Sequence, residues 1–248
     1  MEKVFGLIGQ TVSHSFSKNY FDEKFFREGL RDHHYELFPL NNIKDIETLV
    51  KETKGLTGLN VTLPYKEQVI PFLDELDPVA KAIGAVNVIK FNADGKRKGY
   101  NTDAEAFLET IEKWLPKDAK LSAIILGSGG SSKAVQQALT KLKIDFQVVS
   151  REQSKGGFTY DSLKKNSGVI AASKIIINTT PLGMHPNTNA MPPIDYEQIG
   201  EDHYVYDLIY NPARTMFLQK AEMRGAKIRN GLEMLHVQAE KSWQIWNN

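Results

Sequence analysis

The chain has 248 residues, 41% hydrophobic and 25% charged, which is enough to bury the core of one large domain or two smaller ones. A formal net charge of +1 gives no broad field that would attract nucleic acid or an anionic membrane. The lack of cysteine excludes disulfides, thiolate metal sites and a cysteine nucleophile, and the six histidines show no metal-ligand spacing. We find no signal-peptide pattern and no apolar run near the roughly 20 residues of a membrane span, so we expect a cytoplasmic protein.

Strands and helices alternate along the first part of the chain. The apolar run 3–9 predicts a strand, and aromatic residues at helical spacing in 17–29 predict a helix that ends at Gly29. The same patterns predict strands at 34–40, 58–62 and 85–91, and helices at 43–52, 78–84 and 102–115. The dipeptide Asp94-Gly95 then signals a hairpin.

A second series of elements begins at residue 121. Residues 121–142 combine an apolar strand, a glycine-rich turn and a helix. Strands are predicted within 145–151, 173–184, 203–212 and 226–231, and helices at 215–225 and 232–246. Alternation of this kind is typical of parallel sheets covered by helices, so we expect an α/β fold. We place the domain boundary near residues 102–104, within the helix that joins the two series.

The stretch 58–70 places a lysine in an unusual position. The predicted strand leads to Pro64, which suits the first position of a helix. Lys66 then falls in the first helical turn, where the positive end of the helix dipole disfavours a cation. Such a lysine is a candidate for exchanging a proton.

A glycine-rich turn follows the first strand of the second series. Gly127, Gly129 and Gly130 permit a tight turn and a close approach of the backbone to a pyrophosphate at the start of a helix. Ser132 stands where the usual fingerprint has its third glycine. The order strand, turn, helix favours a dinucleotide site over an ordinary tight turn.

The end of the next strand indicates which dinucleotide is bound. An NAD site usually has an acid there to hold the ribose 2′-hydroxyl, whereas this chain has Ser150 and Arg151, followed by Lys155. A guanidinium suits a 2′-phosphate, so we predict NADP. Glu152 is the only acid nearby. The structural alternative is that Arg151 and Lys155 are solvated charges of a surface loop.

Polar residues near the predicted strand ends of the first series form a second set. Each has a structural alternative, as a helix cap, a turn residue or a surface lysine. Together they offer hydroxyls, amides, an ammonium and a carboxylate, which suits a polyhydroxylated anionic substrate. The set comprises Ser15, Ser17, Asn60, Thr62, Lys66, Asn87, Asn101, Thr102 and Asp103.

At these residues the sequence resembles the shikimate dehydrogenase family. The matching motifs are HSFS, NVTLPYK, IGAVNV, GYNTD, GSGGSSKA, INTTPLGM, YDLIYNP and NGLEMLHVQ, and they cover nearly the whole chain. The resemblance implies reduction of 3-dehydroshikimate to shikimate with NADPH, on the route to aromatic amino acids. It also implies an α/β substrate domain, residues 1–103 completed by the C-terminal helix 232–248, and a Rossmann-type NADP domain, residues 104–231.

The family motifs assign roles to individual residues. Lys66 and Asp103 match the catalytic pair. Ser15, Ser17 and Tyr210 match residues that hold the substrate carboxylate, and Asn60, Thr62, Asn87 and Gln238 are the further substrate-binding candidates. The residues that match cofactor-binding segments are Gly127, Ser128, Gly129, Gly130, Ser131, Ser150, Arg151, Lys155, Leu208 and Gly231. No metal, nucleic acid or membrane partner is implied, and the protein is expected to be a monomer or a homodimer.

The chain also departs from the family pattern. Thr11 and Lys18 stand where prolines are usual, and Val88 stands where threonine is usual. The sequence Ser150-Arg151-Glu152 replaces the usual Asn-Arg-Thr.

Three other functions share parts of the pattern. A quinate/shikimate dehydrogenase that uses NAD is expected to carry an acid where Ser150-Arg151 stands. A methylenetetrahydrofolate dehydrogenase shares the two-domain layout, but the serine and NTD motifs argue against it. A non-catalytic shikimate-binding regulator on the same scaffold is expected to lack Lys66 or Asp103, and both are present.

Overall fold

The computed structural model describes residues 2–13, 15–117, 120–166 and 168–248. The chain divides into two compact units. Unit 1 comprises Met1–Thr102 and Ala239–Asn248, and unit 2 comprises Asp103–Gln238. Each unit has a sheet flanked by helices, which confirms the α/β fold class. No helix in the described part of the chain is long and apolar enough to cross a membrane.

Unit 1 is built on a mixed six-stranded sheet. Its strands are β1 (Lys3–Gly9), β2 (His33–Pro39), β3 (Leu56–Val61), β4 (Glu75–Leu76), β5 (Val88–Phe91) and β6 (Arg97–Tyr100). They lie in the order β2-β1-β3-β5-β6-β4, with β1 parallel to both of its neighbours and β5 antiparallel to both of its own. The hairpin between β5 and β6 confirms the signal at Asp94-Gly95.

Helices cover both faces of this sheet. They are α1 (Phe16–Arg27), α2 (Ile46–Glu52), α3 (Tyr65–Gln68) and α4 (Pro78–Ile83), together with the second half of the last helix of the chain. The helix predicted at 43–52 is a 3-10 turn, Ile43–Asp45, followed by α2. The helix predicted after residue 63 has only four residues, and Pro64 caps it rather than occupying its first position.

The C-terminal segment belongs to the core of unit 1. Trp246 packs on Phe5 with ring centroids 4.9 Å apart, and its indole N–H donates to the Ile89 carbonyl at 3.0 Å. A side chain at Gly58 would overlap the indole ring, so glycine is required there. The buried Lys24 of α1 lies 3.0 Å from Glu240 and ties α1 to this segment.

Unit 2 is built on a parallel six-stranded sheet. Its strands are β7 (Ser122–Leu126), β8 (Asp145–Ser150), β9 (Phe158–Thr159), β10 (Ile175–Asn178), β11 (Tyr204–Asp207) and β12 (Lys227–Arg229). They lie in the order β12-β11-β10-β7-β8-β9, and the pairings are parallel. Counted within the unit this is 6-5-4-1-2-3, the strand order of a dinucleotide-binding Rossmann sheet.

Helices separate most of the strands of unit 2 along the chain, while 3-10 turns lie between β8 and β9 and between β10 and β11. They are α5 (Asp103–Glu112), α6 (Gly130–Lys141), α7 (Tyr160–Lys165), α8 (Val169–Ala172), α9 (Met216–Met223) and the first half of α10 (Leu232–Asn247). Residues 123–126 and 175–178 are almost inaccessible, because helices cover both faces of the sheet. The strand order reverses between β7 and β10, and ligands of such sheets bind at this point.

Candidate active site

In unit 1 the segment after β3 fixes the position of Lys66. The side chain of the preceding residue, Tyr65, is buried, and its hydroxyl donates to the Leu40 carbonyl at 2.7 Å. The Tyr65 N–H donates to the Thr62 carbonyl at 2.9 Å, which closes a tight turn. The Lys66 carbonyl accepts a hydrogen bond from the Val86 N–H at 2.7 Å. Lys66 is half-buried and therefore stands on a short, firmly held turn rather than on a long helix.

Asn87 holds the chain just before Asp103. Its side-chain amide donates to the Thr102 hydroxyl at 2.9 Å, and its side-chain oxygen accepts from the Thr102 N–H at 2.8 Å. Asn101 adds a hydrogen bond of 2.9 Å to the Ala85 carbonyl. These amides are buried, so the bonds are shielded from water. Asp103 follows Thr102 directly and begins α5.

A buried chain of hydrogen bonds runs through the predicted substrate residues of unit 1. The Tyr35 hydroxyl donates to Asn60 at 2.7 Å, and the Asn60 amide donates to Ser242 at 3.0 Å. Burial raises the pKa of the Tyr35 hydroxyl, and its hydrogen bond with Ser17 acts in the opposite direction. Ser17, Asn60 and the C-terminal segment are therefore linked through one tyrosine, which spacing in the sequence does not reveal.

Ser15 serves as the N-cap of α1. Its hydroxyl accepts a hydrogen bond from the Ser17 N–H at 3.1 Å, as expected for a serine that precedes a helix. His14 of the same motif lies outside the described residues.

The remaining predicted substrate residues belong to unit 2. Gln238 is buried on α10, where its amide donates to the Leu235 carbonyl at 2.9 Å. Tyr210 is half-buried, three residues beyond the end of β11.

The glycine-rich turn lies at the point where the strand order of unit 2 reverses. Gly127 has φ +113°, and a Cβ there would lie 2.6 Å from the Thr179 hydroxyl, so only glycine fits. Gly129 caps α6, and a Cβ added to it meets no atom within 4 Å. α6 begins at Gly130, so the N-terminus of this helix, which carries the positive end of the helix dipole, directly follows the turn. This combination fits a pyrophosphate group.

Beyond the end of β8, the basic residues Arg151 and Lys155 do not form the simple pair of cations expected from the sequence. Ser150 is buried, and its hydroxyl lies 3.0 Å from that of Ser128. Arg151 is exposed. Lys155 lies 3.0 Å from Glu152, and both side chains are more than half exposed. An exposed ion pair of this kind is worth about 0–1 kcal/mol, so an incoming phosphate can compete for the lysine.

Leu208 and Gly231 meet just beyond the carboxyl ends of β11 and β12, at the same edge of the sheet as the glycine-rich turn. A Cβ at Gly231 would overlap the Leu208 carbonyl, so no larger residue fits there. The Leu208 N–H donates to the Asn178 carbonyl at 3.0 Å, which places the loop after β11 next to the end of β10.

Asp207 organises this loop. Its carboxyl group is fully buried and accepts from the Thr215 hydroxyl at 2.6 Å, the Asn178 amide at 3.0 Å and the Ile209 N–H at 3.1 Å. Burial raises its pKa to about 7, and the three hydrogen bonds act in the opposite direction. Sequence reasoning included Asp207 only within the YDLIYNP motif and assigned it no role.

Unit 1 contains a region that matches a family model described as the shikimate dehydrogenase substrate binding domain, over residues 7–89. The shikimate dehydrogenase (NADP(+)) of Methanococcus maripaludis is 39% identical to this chain, and the alignment covers 98% of this chain and 91% of that protein. The chain belongs to the shikimate dehydrogenase family.

Solved structures extend the family likeness across both units. The shikimate 5-dehydrogenase of Thermus thermophilus, in complex with NADP(H) and shikimate, has a TM-score of 0.83 and 29% identity, covering 98% of this chain and 93% of that one. The quinate dehydrogenase of Corynebacterium glutamicum, in complex with NAD, has a TM-score of 0.85 and 28% identity, covering 99% and 93%. The chain is therefore similar to structures that contain either nicotinamide cofactor.

Proposed function

We propose that this member of the shikimate dehydrogenase family catalyses the reversible reduction of 3-dehydroshikimate to shikimate with NADPH. The reaction lies on the route to chorismate and the aromatic amino acids. The substrate domain is residues 1–103 with 232–248, and the NADP domain is residues 104–231. Because the substrate and the cofactor are soluble metabolites, we place the reaction in the cytoplasm.

The observation that carries this proposal is the bonding of Val86 and Asn87 within unit 1. Val86 binds the backbone of Lys66, and Asn87 binds the backbone and hydroxyl of Thr102, immediately before Asp103. Two consecutive residues thus fix the segments that carry both proposed catalytic side chains. A rigid support of this kind suits acid–base chemistry, since a misplacement of about 1 Å can cost roughly 100-fold in rate.

Lys66 and Asp103 are the proposed proton-transfer pair. When bound, NADPH supplies a hydride to the carbonyl carbon of the substrate. The carbonyl oxygen then requires a proton, which the Lys66 ammonium donates, while the Asp103 carboxylate orients the substrate and the lysine. In the reverse direction the neutral lysine accepts the proton of the hydroxyl that is oxidised.

Neutral donors hold the substrate in this proposal. The hydroxyls of Ser15, Ser17 and Tyr210 bind its carboxylate through charge-assisted hydrogen bonds. The ring hydroxyls are bound by Asn60, Thr62, Asn87 and Gln238. Since Asn60 already binds Tyr35 and Ser242, its main contribution is to hold Ser17 and β3 in place.

The proposed NADP site combines the glycine-rich turn with the end of β8. Residues 127–131, at the start of α6, would hold the pyrophosphate. Arg151 would bind the 2′-phosphate, together with Ser150 and Lys155. Leu208 and Gly231 complete the cofactor-binding set.

A second candidate is NAD-dependent oxidation of quinate. The observation that favours it is the carboxylate of Glu152, which lies two residues beyond β8 and is paired with Lys155. The deciding experiment is a four-way assay of shikimate or quinate with NADP or NAD. We expect the highest kcat/KM for shikimate with NADP. A higher value for quinate with NAD would support the second candidate instead.

A further inference from the structure

Two buried side chains join the ends of neighbouring strands in unit 2. Asp207 is the last residue of β11, Asn178 is the last residue of β10, and the two are partners in the register of the sheet. Both are completely inaccessible to water. The Asn178 amide donates to the Asp207 carboxyl group at 3.0 Å. The strand ends are therefore connected through their side chains as well as through the backbone.

The carboxyl group of this contact fixes the loop after β11. It accepts from the Ile209 N–H at 3.1 Å, and the Leu208 N–H donates to the Asn178 carbonyl at 3.0 Å. The Ile209 carbonyl in turn accepts from the Gly231 N–H at 3.1 Å. Leu208 and Gly231 are proposed cofactor-binding residues, and both are held by bonds that begin at the contact between Asp207 and Asn178.

The amide group of the contact fixes the loop after β10. The side-chain oxygen of Asn178 accepts from the N–H of Thr180 at 3.0 Å and from its hydroxyl at 2.7 Å. The Thr180 hydroxyl also accepts from the Leu182 N–H at 3.3 Å. Because the Asn178 oxygen is engaged by these donors, its NH₂ group is the part that faces position 207. A hydrogen-bond acceptor is therefore required at that position.

The place of this contact in the sheet relates it to one half of the cofactor. The turn proposed for the pyrophosphate follows β7, and Arg151, proposed for the 2′-phosphate, follows β8. Strand β10 lies on the other side of β7 from β8, and β11 lies beyond β10. A dinucleotide whose adenosine half extends toward β8 would extend its nicotinamide half toward the ends of β10 and β11.

We infer that Asp207 is a positioning residue for the nicotinamide half of NADP. It holds the loops after β10 and β11 in the shape that this half of the cofactor requires, and it acts through those loops because its own carboxyl group is buried. The inference rests on the proposed NADP-dependent reaction. It adds that the nicotinamide half and the adenosine half are supported by separate groups of residues.

Removing the carboxyl group should loosen both loops at once. In Asp207→Ala, the Ile209 N–H and one N–H of Asn178 lose their acceptor in a region that water does not reach. A misplacement of about 1 Å can cost roughly 100-fold in rate, so we expect kcat for shikimate oxidation with NADP to fall by about that factor.

Asp207→Asn is the conservative variant for this position. In the wild type both N–H donors bind the same carboxyl oxygen, Oδ1, which the asparagine oxygen replaces. The new amide group can donate to the Thr215 hydroxyl, which now donates to the other carboxyl oxygen. We therefore expect Asp207→Asn to recover most of the kcat that Asp207→Ala loses.

Binding of a cofactor fragment separates positioning from a general loss of structure. Adenosine 2′,5′-bisphosphate carries the adenosine and the 2′-phosphate of NADP and lacks its nicotinamide half. Calorimetric titration gives the Kd of NADP and of this fragment for the full-length wild type and each variant, with Asp161→Ala as the exposed control of the same unit. We expect Asp207→Ala to weaken NADP binding roughly tenfold and to change the Kd of the fragment by less than about twofold. Asp207→Asn and Asp161→Ala should bind both ligands as the wild type does.

The possible outcomes distinguish the inference from the proposed function. Equal weakening of both ligands in a folded Asp207→Ala would overturn the inference, and so would unchanged NADP binding and kcat. If Asp207→Ala does not fold, Thr215→Val decides, because it removes the hydroxyl that donates to Asp207 at 2.6 Å and keeps the size of the side chain. A smaller loss of affinity, confined to NADP, is expected in Thr215→Val, and an equal loss for the fragment would overturn the inference. A wild type that binds the fragment but not NADP, or neither ligand, would refute the proposed function itself.

Discussion

From the buried carboxyl group of Asp207 we predict that the free energy of unfolding depends on pH in a specific way. Its carboxyl group is fully buried, and burial raises its pKa from 3.8 to about 7. Between these two values the folded state binds a proton that the unfolded state has released. The free energy of unfolding contributed by this group therefore falls as the pH rises from about 4 to 7, and it is constant above that range. A shift of about three pKa units corresponds to roughly 4 kcal/mol.

The substitution Asp207→Asn removes this titration and retains groups able to bond Thr215, Ile209 and Asn178. We expect the variant to gain about 3 kcal/mol of stability over the wild type as the pH is raised from 5 to 8, because only the two pH units between 5 and the folded-state pKa of about 7 contribute. For a domain of this size each kcal/mol moves the Tm by roughly 2–4 °C. Thermal unfolding across that pH range measures the difference.

Asp161→Asn is the matched control for this experiment. Asp161 belongs to the same unit, and its side chain is 90% exposed, so its replacement should leave the pH profile unchanged. If the wild type and Asp207→Asn show parallel Tm profiles from pH 5 to 8, the buried carboxyl does not titrate there and the reasoning is wrong.

Three further predictions concern the proposed reaction. The double variant Lys66→Ala/Asp103→Ala should have a turnover only slightly below that of Lys66→Ala, because the effects of residues that act as one unit are not additive. A double variant whose loss of turnover equals the product of the two single losses would contradict this. Ser15→Ala should raise KM for shikimate by roughly 10-fold or more and lower stability by about 1 kcal/mol through the lost cap, so an unchanged KM would place the carboxylate elsewhere. Arg151→Ala should raise KM for NADP roughly 10- to 150-fold and change KM for NAD little, and Lys155→Ala should raise KM for NADP by a smaller factor. Equal losses of activity with NADP and NAD in Arg151→Ala would mean that Arg151 has only a structural role.

The sequence predicted the fold class because hydrophobic periodicity reports which face of an element is buried. The amphipathic helix α10 was predicted correctly for this reason, whereas the hairpin at Asp94-Gly95 was predicted from the turn preference of the Asp-Gly dipeptide. Periodicity carries no information about which strands pair, so the sheet orders were available only from the structure. It did not determine the start of the helix after β3: Pro64 was expected at the first helical position, whereas it is the N-cap of the single turn α3.

The candidate residues were chosen by motif, and their contacts were not predictable in the same way. Asn60 binds Ser242, which lies 182 positions later in the chain. Gly231 is required by the carbonyl of Leu208, and no local signal marks that contact. The ion pair between Glu152 and Lys155 has an ordinary helical spacing, but whether a side chain turns toward a neighbour or a ligand depends on the folded surroundings.

In the proposed reaction, Lys66 transfers the proton during the NADP-dependent oxidation of shikimate. The most direct test compares NADPH formation from shikimate by the wild type, Lys66→Ala and Lys54→Ala, with NADP binding measured in parallel. Lys54 is an exposed lysine of the same unit and serves as the matched control. We predict that Lys66→Ala loses at least roughly 100-fold in kcat and keeps its affinity for NADP, while Lys54→Ala matches the wild type. Near wild-type turnover in Lys66→Ala would contradict proton transfer by Lys66, and no NADPH formed by the wild type would contradict the proposed reaction.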